Sequence, residues 1–477
     1  MKVPSTPKND QAISPAERDR LVREAHRAHV FQPWSAQAHV APFPVAGAEG
    51  RYFWDHQGNR YLDFSSQFVN LNIGHAHPKV VAAIKEQAER LCTIAPHFAN
   101  EQRSEAARLI AELTPGDLTK IFFTSGGAEA NEHAVRMTRL FTGRHKVLSA
   151  YRSYHGATST AIHLTGDPRR WPNDTGAAGV VHFVPPYLYR SAFDARTEAE
   201  ECRRALDHLE QMICFEGPRT IAAVILEPVI GTGGVLVPPA GYLPGVRALC
   251  DEHGIALIVD EVMTGFGRTG RWFGVDHWDV VPDLLTFSKG VNSGYVPLGG
   301  VAITARIADF FADRPYPGGL TYSGHPLACA AAVAATRAMA DERVVEHASW
   351  LGEQVLGPGL RDIAEAHPCV GEVRGLGVMW AIELVRDRDT REMLVPYAAT
   401  GTDTAPVDEV MAECQRRGLW PFANFNRVHV LPPCNTTEDE ARKGLGMLDE
   451  ALTVADSRVT AGSRRGRPRG PRTGDIE

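Results

Sequence analysis

TFSKGVNSGYVPLGG, residues 286 to 300, contains one lysine, Lys289, and no other charged residue. The apolar run 284–287 comes just before this lysine and predicts a short buried strand, whereas four glycines follow within eleven residues. Burying an unpaired lysine costs several kcal/mol, and most lysines are solvated surface residues. Either Lys289 is an ordinary loop residue, or the chain needs an amine at the end of a core strand.

Strands and helices alternate along the chain around this stretch. The runs 221–226 and 255–259 are almost purely apolar, and a helical pattern over 242–253 separates them. Such runs, without polar alternation and separated by helices, are typical of a parallel sheet covered on both faces. We therefore predict an α/β fold whose ligands bind beyond the carboxyl ends of the strands. The other predicted elements are strands over 121–123, 146–149, 284–287 and 300–304 and a helix over 129–142.

The chain also divides into two predicted domains. With 477 residues and 44% apolar content, it can bury one large core or two. Beyond the large domain the pattern changes to strands over 378–385 and 427–431 and helices over 407–417 and 437–452, which indicates a smaller α+β domain. We expect a strand over 51–64 to join it. The predicted segments are a disordered N-terminus 1–20, the N-terminal part of the small domain 21–80, the large domain 81–344, the C-terminal small domain 345–455, and a disordered basic tail 456–477.

Composition and charge narrow the class of function. The net charge of −7 argues against nucleic acid as a partner. No window reaches about 18 unbroken apolar residues, so no membrane span is predicted. The N-terminus lacks the apolar core of a signal peptide. Eight scattered cysteines without a CxxC pair fit a reducing cytoplasm better than a disulfide framework or a zinc site, so we expect a cytoplasmic protein.

The stretch 265–270, GFGRTG, matches the GxGxxG dinucleotide fingerprint letter by letter. That fingerprint needs a helix to begin at the third glycine, so that the helix N-terminus meets a pyrophosphate. The continuation, RWFGVDHWDVVPD, has no helical period, and four residues separate the preceding strand from the first glycine. The sequence therefore disfavours dinucleotide binding.

Two other positions are better candidates for a ligand site. At 124–131, TSGGAEAN, a strand leads into small residues and a helix follows. Free backbone N–H groups and the helix dipole suit a phosphate there, although an ordinary glycine turn fits equally well. Asp260 ends an apolar strand, where a buried carboxylate needs a cationic or strong hydrogen-bond donor, unless it only caps the next turn.

One cofactor would use all of these features together, namely pyridoxal 5′-phosphate (PLP). Its aldehyde condenses with a lysine, its ring nitrogen needs a carboxylate, its ring needs a stacking face, and its phosphate needs N–H donors. Lys289, Asp260, the aromatic step at Tyr154 and the glycines at 126–127 supply these four groups. Lys289 can then be buried because it is held as an imine rather than as a free ammonium.

With these motifs the sequence resembles the class III aminotransferases, which are PLP enzymes of the aspartate-aminotransferase fold. The resemblance covers about residues 45 to 455. It implies PLP-dependent fold type I, with a mostly parallel seven-stranded sheet in the large domain and a smaller α+β domain. The motifs that carry it are YLDF at 61–64, GHAHP at 74–78, SGGAEAN at 125–131, YHGAT at 154–158, EP at 227–228 with GTGG at 231–234, DEVMTGFGRTG at 260–270, SKGVNSGYVPLGG at 288–300 and TYSGHP at 321–326.

The resemblance also implies roles for individual residues. Lys289 and Asp260 are the implied catalytic pair, because the lysine holds the cofactor and moves a proton while the carboxylate keeps the ring nitrogen protonated. Thr321 would reach the phosphate of a neighbouring subunit, so a homodimer or a dimer of dimers with the active site at the interface is expected. The implied cofactor-binding residues are Gly126, Gly127, Ala128, Tyr154, His155, Glu227, Asp260, Val262, Lys289 and Thr321.

The reaction implied is a ping-pong transamination. The terminal amino group of a short ω-amino acid, such as taurine, β-alanine or 4-aminobutyrate, would pass to 2-oxoglutarate or pyruvate. The same cofactor set would also serve an aminomutase, a racemase, a decarboxylase, or a transaminase for other amines or diamines, because a fold does not fix the reaction. A catalytically silent binding module is a further alternative.

Three positions depart from the family pattern. Met263 stands where many members have glutamine, Thr232 where some have glutamate, and Phe422 where many have arginine. Recognition of the acid group must therefore come from elsewhere. Amide-rich segments are the predicted source, unless Asn426 and Arg427 only begin the next strand; the candidates are Gln67, Asn70, Asn72, Asn424, Asn426 and Arg427.

Overall fold

The structure is a computed structural model that describes residues 13–173 and 179–459. The disorder predicted for residues 1–12 and for the tail from residue 460 lies outside the described residues. In the described part of the chain, no helix has both the length and the hydropathy that crossing a membrane requires.

Sixteen strands occur in the described ranges. They are β1 Gly47–Glu49, β2 Tyr52–Trp54, β3 Arg60–Asp63, β4 Lys120–Thr124, β5 Lys146–Ala150, β6 Val180–Phe183, β7 Ile221–Leu226, β8 Ala256–Asp260, β9 Leu284–Phe287, β10 Gly299–Ile303, β11 Val370–Leu376, β12 Met379–Asp387, β13 Glu392–Met393, β14 Leu419–Trp420, β15 Phe422–Asn424 and β16 Arg427–Val430.

Fourteen α-helices connect and cover these strands within the same ranges. They are α1 Pro15–His29, α2 Ser66–Val69, α3 Pro78–Arg90, α4 Glu101–Leu113, α5 Gly127–Thr142, α6 Ser159–Leu164, α7 Glu198–Glu216, α8 Tyr242–His253, α9 Ala305–Phe310, α10 Pro326–Asp341, α11 Val344–Leu351, α12 Gly357–Ala366, α13 Ala405–Arg416 and α14 Glu438–Asp456.

The largest sheet has seven strands in the order β4-β10-β9-β8-β7-β5-β6. Its neighbours pair in parallel from β6 across to β9, whereas β10 is antiparallel to both β9 and β4. The mostly parallel seven-stranded sheet that was expected is therefore confirmed. Every residue of β7 and β8 is buried, which explains why their sequences are apolar without alternation.

The strand directions bring the site together. Because β4 and β9 are both antiparallel to β10, they run in the same direction, and β8 runs with them. The carboxyl ends of β4, β8 and β9 therefore lie at one edge of the sheet. The N-terminus of α5, the side chain of Asp260 and the segment that carries Lys289 all follow these ends.

The remaining strands form two smaller sheets. One has the order β11-β12-β16-β15, with β13 paired to β12, and the other has the order β1-β2-β3-β14. The single strand expected over 51–64 is wrong, since a hairpin of β2 and β3 occupies this region. The Asp55 carboxylate accepts the backbone N–H groups of Gln57 and Asn59 and so turns the chain. β14 pairs in parallel with β3, which joins the N-terminal segment to the C-terminal part.

The start of the described chain is helical. Disorder was predicted up to residue 20, but α1 begins at Pro15, so that prediction is wrong for residues 15 to 20. The Ser14 side chain accepts the N–H of Glu17, and proline is favourable at the first helical position. Asp19 of α1 contacts His56 and Gln57 in the β2–β3 turn, which attaches the helix to the fold.

A buried histidine connects two ends of the small α+β region. His367, between α12 and β11, lies 2.7 Å from Asp456 and 3.0 Å from Asp449, both on α14. The Asp456 carboxylate also accepts the N–H of Cys369. Burial by itself lowers the pKa of His367, but its bonds to Asp456 and Asp449 outweigh this effect and raise the pKa above its ordinary value.

We expect His367→Gln to destabilise the protein in a pH-dependent way. The folded pKa of His367 is raised, so its stabilisation is fully present below about pH 6.5, its usual unfolded value, and is lost as the pH rises through the folded value. At pH 6 the variant should lose about 2 kcal/mol in the free energy of unfolding, the usual scale for bonds to charged groups. Denaturant midpoints of both proteins from pH 5.5 to pH 9, roughly the window of histidine titration, measure the difference. A difference that grows with pH would contradict the charged pairing.

Candidate active site

A cavity of about 380 Å³ opens at the carboxyl edge of the seven-stranded sheet. It lies where the ends of β8 and β9, the N-terminus of α5 and the loop after β5 meet. The lining residues are Gly127, Ala128, Asn131, Tyr154, His155, Gly156, Ala157, Thr158, Glu227, Thr232, Asp260, Val262, Met263, Ser288 and Lys289.

One wall of the cavity is the first turn of α5. The helix begins at Gly127, and no side chain caps its N-terminus, so the first backbone N–H groups are free to bind an anion. A Cβ atom on Gly127 would lie 2.7 Å from Cγ2 of Val262. Glycine is therefore needed at this position so that α5 can approach Val262 closely. The close approach leaves a recess that is lined by backbone N–H groups and by the aliphatic side chain of Val262.

Asp260 is the buried negative charge of the site. One carboxylate oxygen accepts the backbone N–H of Val262 at 2.9 Å. The other accepts Nδ2 of Asn131 at 2.7 Å and contacts Nδ1 of His155 at 2.7 Å. Asp260 is 2% exposed, so these donors are what keeps a carboxylate tolerable at the end of an apolar strand.

Lys289 follows the end of β9 and lines the same cavity. Its backbone has a φ of +44°, a left-handed conformation that costs a non-glycine residue about 1–2 kcal/mol. Burial lowers the pKa of its amine to about 8, against the opposing attraction of Asp260 and Glu227. A large share of the amine is thus neutral near pH 8, and a neutral amine can act as a nucleophile or a base.

Glu227 holds two parts of the cavity wall in place. Its carboxylate oxygens accept the backbone N–H groups of Tyr154, at 3.0 Å, and of Gly231, at 2.9 Å. Burial raises the pKa of Glu227 to about 7. One face of the Tyr154 ring is covered by Arg169, whose guanidinium carbon lies 3.7 Å from the ring centroid.

These residues fit the cofactor that the sequence implies. The uncapped turn of α5 offers N–H groups to a phosphate, and Asp260 offers a carboxylate to a ring nitrogen. Lys289 offers an amine of lowered pKa to an aldehyde. The cavity thus contains the groups that PLP requires, and they come from separate elements that meet at one edge of the sheet.

Most of the predicted site residues come together. Of the ten, Gly127, Ala128, Tyr154, His155, Glu227, Asp260, Val262 and Lys289 line the cavity. Gly126 directly precedes the first of these, as the N-cap of α5. Thr321 is exposed and is absent from the lining of this cavity among the described residues.

The sequence analysis missed Asn131, Thr158 and Ser288 as cavity-lining residues. All three lie inside quoted motifs, but nothing in the motifs shows which side chains point inward. The six candidates for acid recognition are not among the described residues that line the cavity. Arg427 does begin β16, as the alternative interpretation held. Several of the six donate hydrogen bonds to backbone oxygens instead. The backbone acceptors include Thr232 for Asn424, Leu384 for Asn426, Gly233 for Arg427 and Phe266 for Asn72.

Comparison with known proteins gives a family match over most of the chain. Residues 34–452 match the model of the aminotransferase class-III family. The chain is 37% identical to the 5-aminovalerate aminotransferase DavT of Pseudomonas aeruginosa, over 87% of this chain and 94% of the relative. It is 35% identical to the 4-aminobutyrate aminotransferase GabT of Escherichia coli, over 87% of this chain and 95% of that protein.

A solved structure agrees with this match. The taurine:2-oxoglutarate aminotransferase of Bifidobacterium kashiwanohense, in complex with PLP and glutamate, superposes with a TM-score of 0.89 at 41% sequence identity. The match covers 93% of this chain and 99% of that one. The expected fold type I of PLP-dependent transferases is therefore confirmed.

Gly127→Ala should weaken the binding of PLP to the apo-protein. The added Cβ meets Val262 at 2.7 Å, and overpacking of this kind costs about 1–3 kcal/mol, or roughly a fivefold to hundredfold rise in Kd. Gly446→Ala is the control, because its Cβ meets nothing within 4 Å and the residue lies on α14, away from the residues that line the cavity. Absorbance titrations with PLP compare the variants, and equal Kd values would contradict the packing argument.

Proposed function

The chain belongs to the class III aminotransferases, which use PLP, and from this membership we propose that it transfers the terminal amino group of a short ω-amino acid to a 2-oxo acid. The named relatives support this class of donor, since they act on 5-aminovalerate, 4-aminobutyrate and taurine. The acceptor is proposed to be 2-oxoglutarate or pyruvate, and the cycle to be ping-pong.

The observation that carries the proposal is the placement of Lys289 and Asp260 on one cavity. They follow adjacent parallel strands, β9 and β8, and both line the space beside the N-terminus of α5. An amine of lowered pKa and a buried carboxylate are the two groups that amino transfer requires from the protein.

In the proposed mechanism each residue has a defined task. When bound, PLP supplies an aldehyde for the amino group and a ring that absorbs negative charge. Nζ of Lys289 would accept the proton that leaves the carbon beside the donor nitrogen and would donate it to the cofactor carbon that bore the aldehyde oxygen. Asp260 would hold the proton of the ring nitrogen, and the free N–H groups of Gly127 and Ala128 would bind the phosphate. Tyr154 and Val262 would enclose the ring.

A charged side chain beside the cavity supports an acidic donor. Arg169 covers the ring of Tyr154, a residue that lines the cavity, and after burial its charge also helps to lower the pKa of Lys289. Asp167 binds Nε and Nη2 of Arg169. We propose that the remaining edge of Arg169 binds the carboxylate or sulfonate of the donor.

We further propose a homodimer whose active sites lie at the interface, in a cytoplasmic protein. Support comes from aromatic side chains that the single chain leaves exposed, Trp34 at 65%, Phe68 at 62% and Tyr322 at 64%, the last beside Thr321. All eight cysteines are free, which fits a reducing compartment.

The division into a large domain, 81–344, and a small domain built from 21–80 and 345–455 is proposed because the seven-stranded sheet lies within the former.

Mixing the PLP-loaded protein with taurine or β-alanine, without any acceptor, tests the reaction. We expect stoichiometric conversion to the aminated cofactor, measured by absorbance, because the first half of a ping-pong cycle needs no second substrate. Lys289→Ala should still bind PLP but should convert at least about a thousandfold more slowly, since it lacks the base. A racemase or a silent module would leave the wild-type spectrum unchanged at the end of the experiment.

Borohydride reduction should label Lys289 in the wild type, and a label on another lysine would refute its assignment.

A panel of donors tests the substrate class. We expect kcat/KM for taurine, β-alanine and 4-aminobutyrate to exceed that for ornithine, putrescine and 1-phenylethylamine, with pyruvate or 2-oxoglutarate as acceptor. Arg169→Gln should raise KM for the three acidic donors by about tenfold or more, the usual scale for a charged hydrogen bond. 1-Phenylethylamine has no acid group and serves as the internal control. A preference for ornithine or the aromatic amine, or equal effects of Arg169→Gln on all six, would refute this view of the pocket.

A further inference from the structure

Asn131, which lines the cavity, and Thr286 form a buried pair beside Asp260. We propose that Asn131, oriented by Thr286, is a positioning residue that holds Asp260 with a neutral donor and so leaves the negative charge of Asp260 available to the cofactor ring nitrogen. This inference rests on the proposed function, because it assigns to Asp260 the pairing with that nitrogen.

The contacts of Asn131 join three elements of the fold. Its Nδ2 donates to Oδ2 of Asp260 at 2.7 Å and to the backbone oxygen of His155 at 2.8 Å. Its Oδ1 accepts the hydroxyl of Thr286 at 2.8 Å. Asn131 is 1% exposed and Thr286 is fully buried, so water does not compete for these bonds. One amide therefore ties α5 to the end of β8, to β9 and to the loop after β5.

Thr286 fixes the orientation of the side-chain amide of Asn131. On one side of Asn131 lie two acceptors, the Asp260 carboxylate and the His155 carbonyl. A flipped amide would present Oδ1 to both of them, with no donor between oxygens in a buried site. The Thr286 hydroxyl can donate to Oδ1 and stabilises the productive orientation. The strand register makes this possible, since Thr286 is the β9 residue paired with Asp260 of β8.

The donors around Asp260 carry no fixed charge. Val262 contributes a backbone N–H, Asn131 an amide, and His155 its Nδ1. The Nε2 atom of His155 is buried without a hydrogen-bond partner among the described residues. No lysine or arginine of the described residues forms an ion pair with Asp260.

A neutral set of donors has a clear consequence. An arginine at the position of Asn131 would compensate the charge of Asp260 within the protein, and the carboxylate would then attract a protonated ring nitrogen less strongly. The amide supplies a hydrogen bond that helps to make the buried carboxylate tolerable, and because the amide is neutral it does not compensate the negative charge. Asn131 is therefore suited to tuning the charge of Asp260.

The test compares four variants of the full-length protein. Asn131→Asp removes the donor and places a second carboxylate next to Asp260, so the two should share a proton. Thr286→Val removes only the orienting hydroxyl, and Thr286→Ser restores it. Thr138→Val is the matched control, since Thr138 is also fully buried, lies on α5, and bonds only to the backbone of its own helix.

Three measurements are made on each variant. They are the Kd of the apo-protein for PLP, the pH dependence of the absorbance of the bound cofactor, and the first-order rate constant and apparent Kd of the half-reaction with β-alanine. We expect Thr286→Val to lower the rate constant about tenfold relative to Thr138→Val and to shift the pH titration, with the donor Kd changed less than the rate constant. Asn131→Asp should lower the rate constant further and raise the Kd for PLP. Thr286→Ser should recover most of the loss.

Some results would overturn the proposal. Equal rate constants and pH titrations for Thr286→Val and Thr138→Val would mean that the hydroxyl does not orient a functional amide. Failure of Thr286→Ser to recover activity would have the same meaning. If Asn131→Asp does not fold, the threonine variants decide. A wild-type protein that binds PLP but does not convert any amine would refute the proposed function. The pH titration of the bound cofactor would still test whether Asn131 positions Asp260.

Discussion

The burial of a carboxylate at the end of an apolar strand is the constraint on which the site depends. Asp260 is 2% exposed, and β8 gives it no polar neighbour within the strand itself. Its hydrogen bonds come from α5, from the loop after β5, and from its own following turn. The positions of these three segments are thus coupled, because moving any of them would leave a buried charge with fewer donors.

The same low-polarity surroundings change the acid–base properties of the neighbouring groups. Burial lowers the pKa of Lys289 to about 8 and raises the pKa of Glu227 to about 7. An amine that releases its proton more readily suits nucleophilic attack and proton transfer. Glu227 has a structural part as well, since its two backbone bonds keep the Tyr154 wall and the Gly231 turn in register. The shape and the electrostatics of the cavity therefore both depend on the burial of these groups.

Much of this arrangement could be predicted from local sequence patterns. The apolar runs 221–226 and 284–287 became strands with the predicted bounds, and the helix 242–253 was also correct. Lys289 and Asp260 could be identified from the sequence because burying an unpaired charge at the end of an apolar strand is costly. The hairpin of β2 and β3 and the helix from Pro15 were missed, since both depend on short side-chain caps, at Asp55 and Ser14, that a periodicity does not reveal.

By itself, the sequence determined the α/β class, the strand ends that carry the lysine and the aspartate, and the glycine-rich helix start. These follow from local rules, because hydrophobic period and glycine geometry act over a few residues. Only the tertiary structure decided which distant side chains meet. Thr286 orients Asn131 across 155 positions of sequence, Arg169 covers Tyr154, and the amide-rich segments brace the backbone rather than line the cavity. Such pairings depend on strand order and register. Strand order and register are determined by the burial of the whole sheet, not by any single motif.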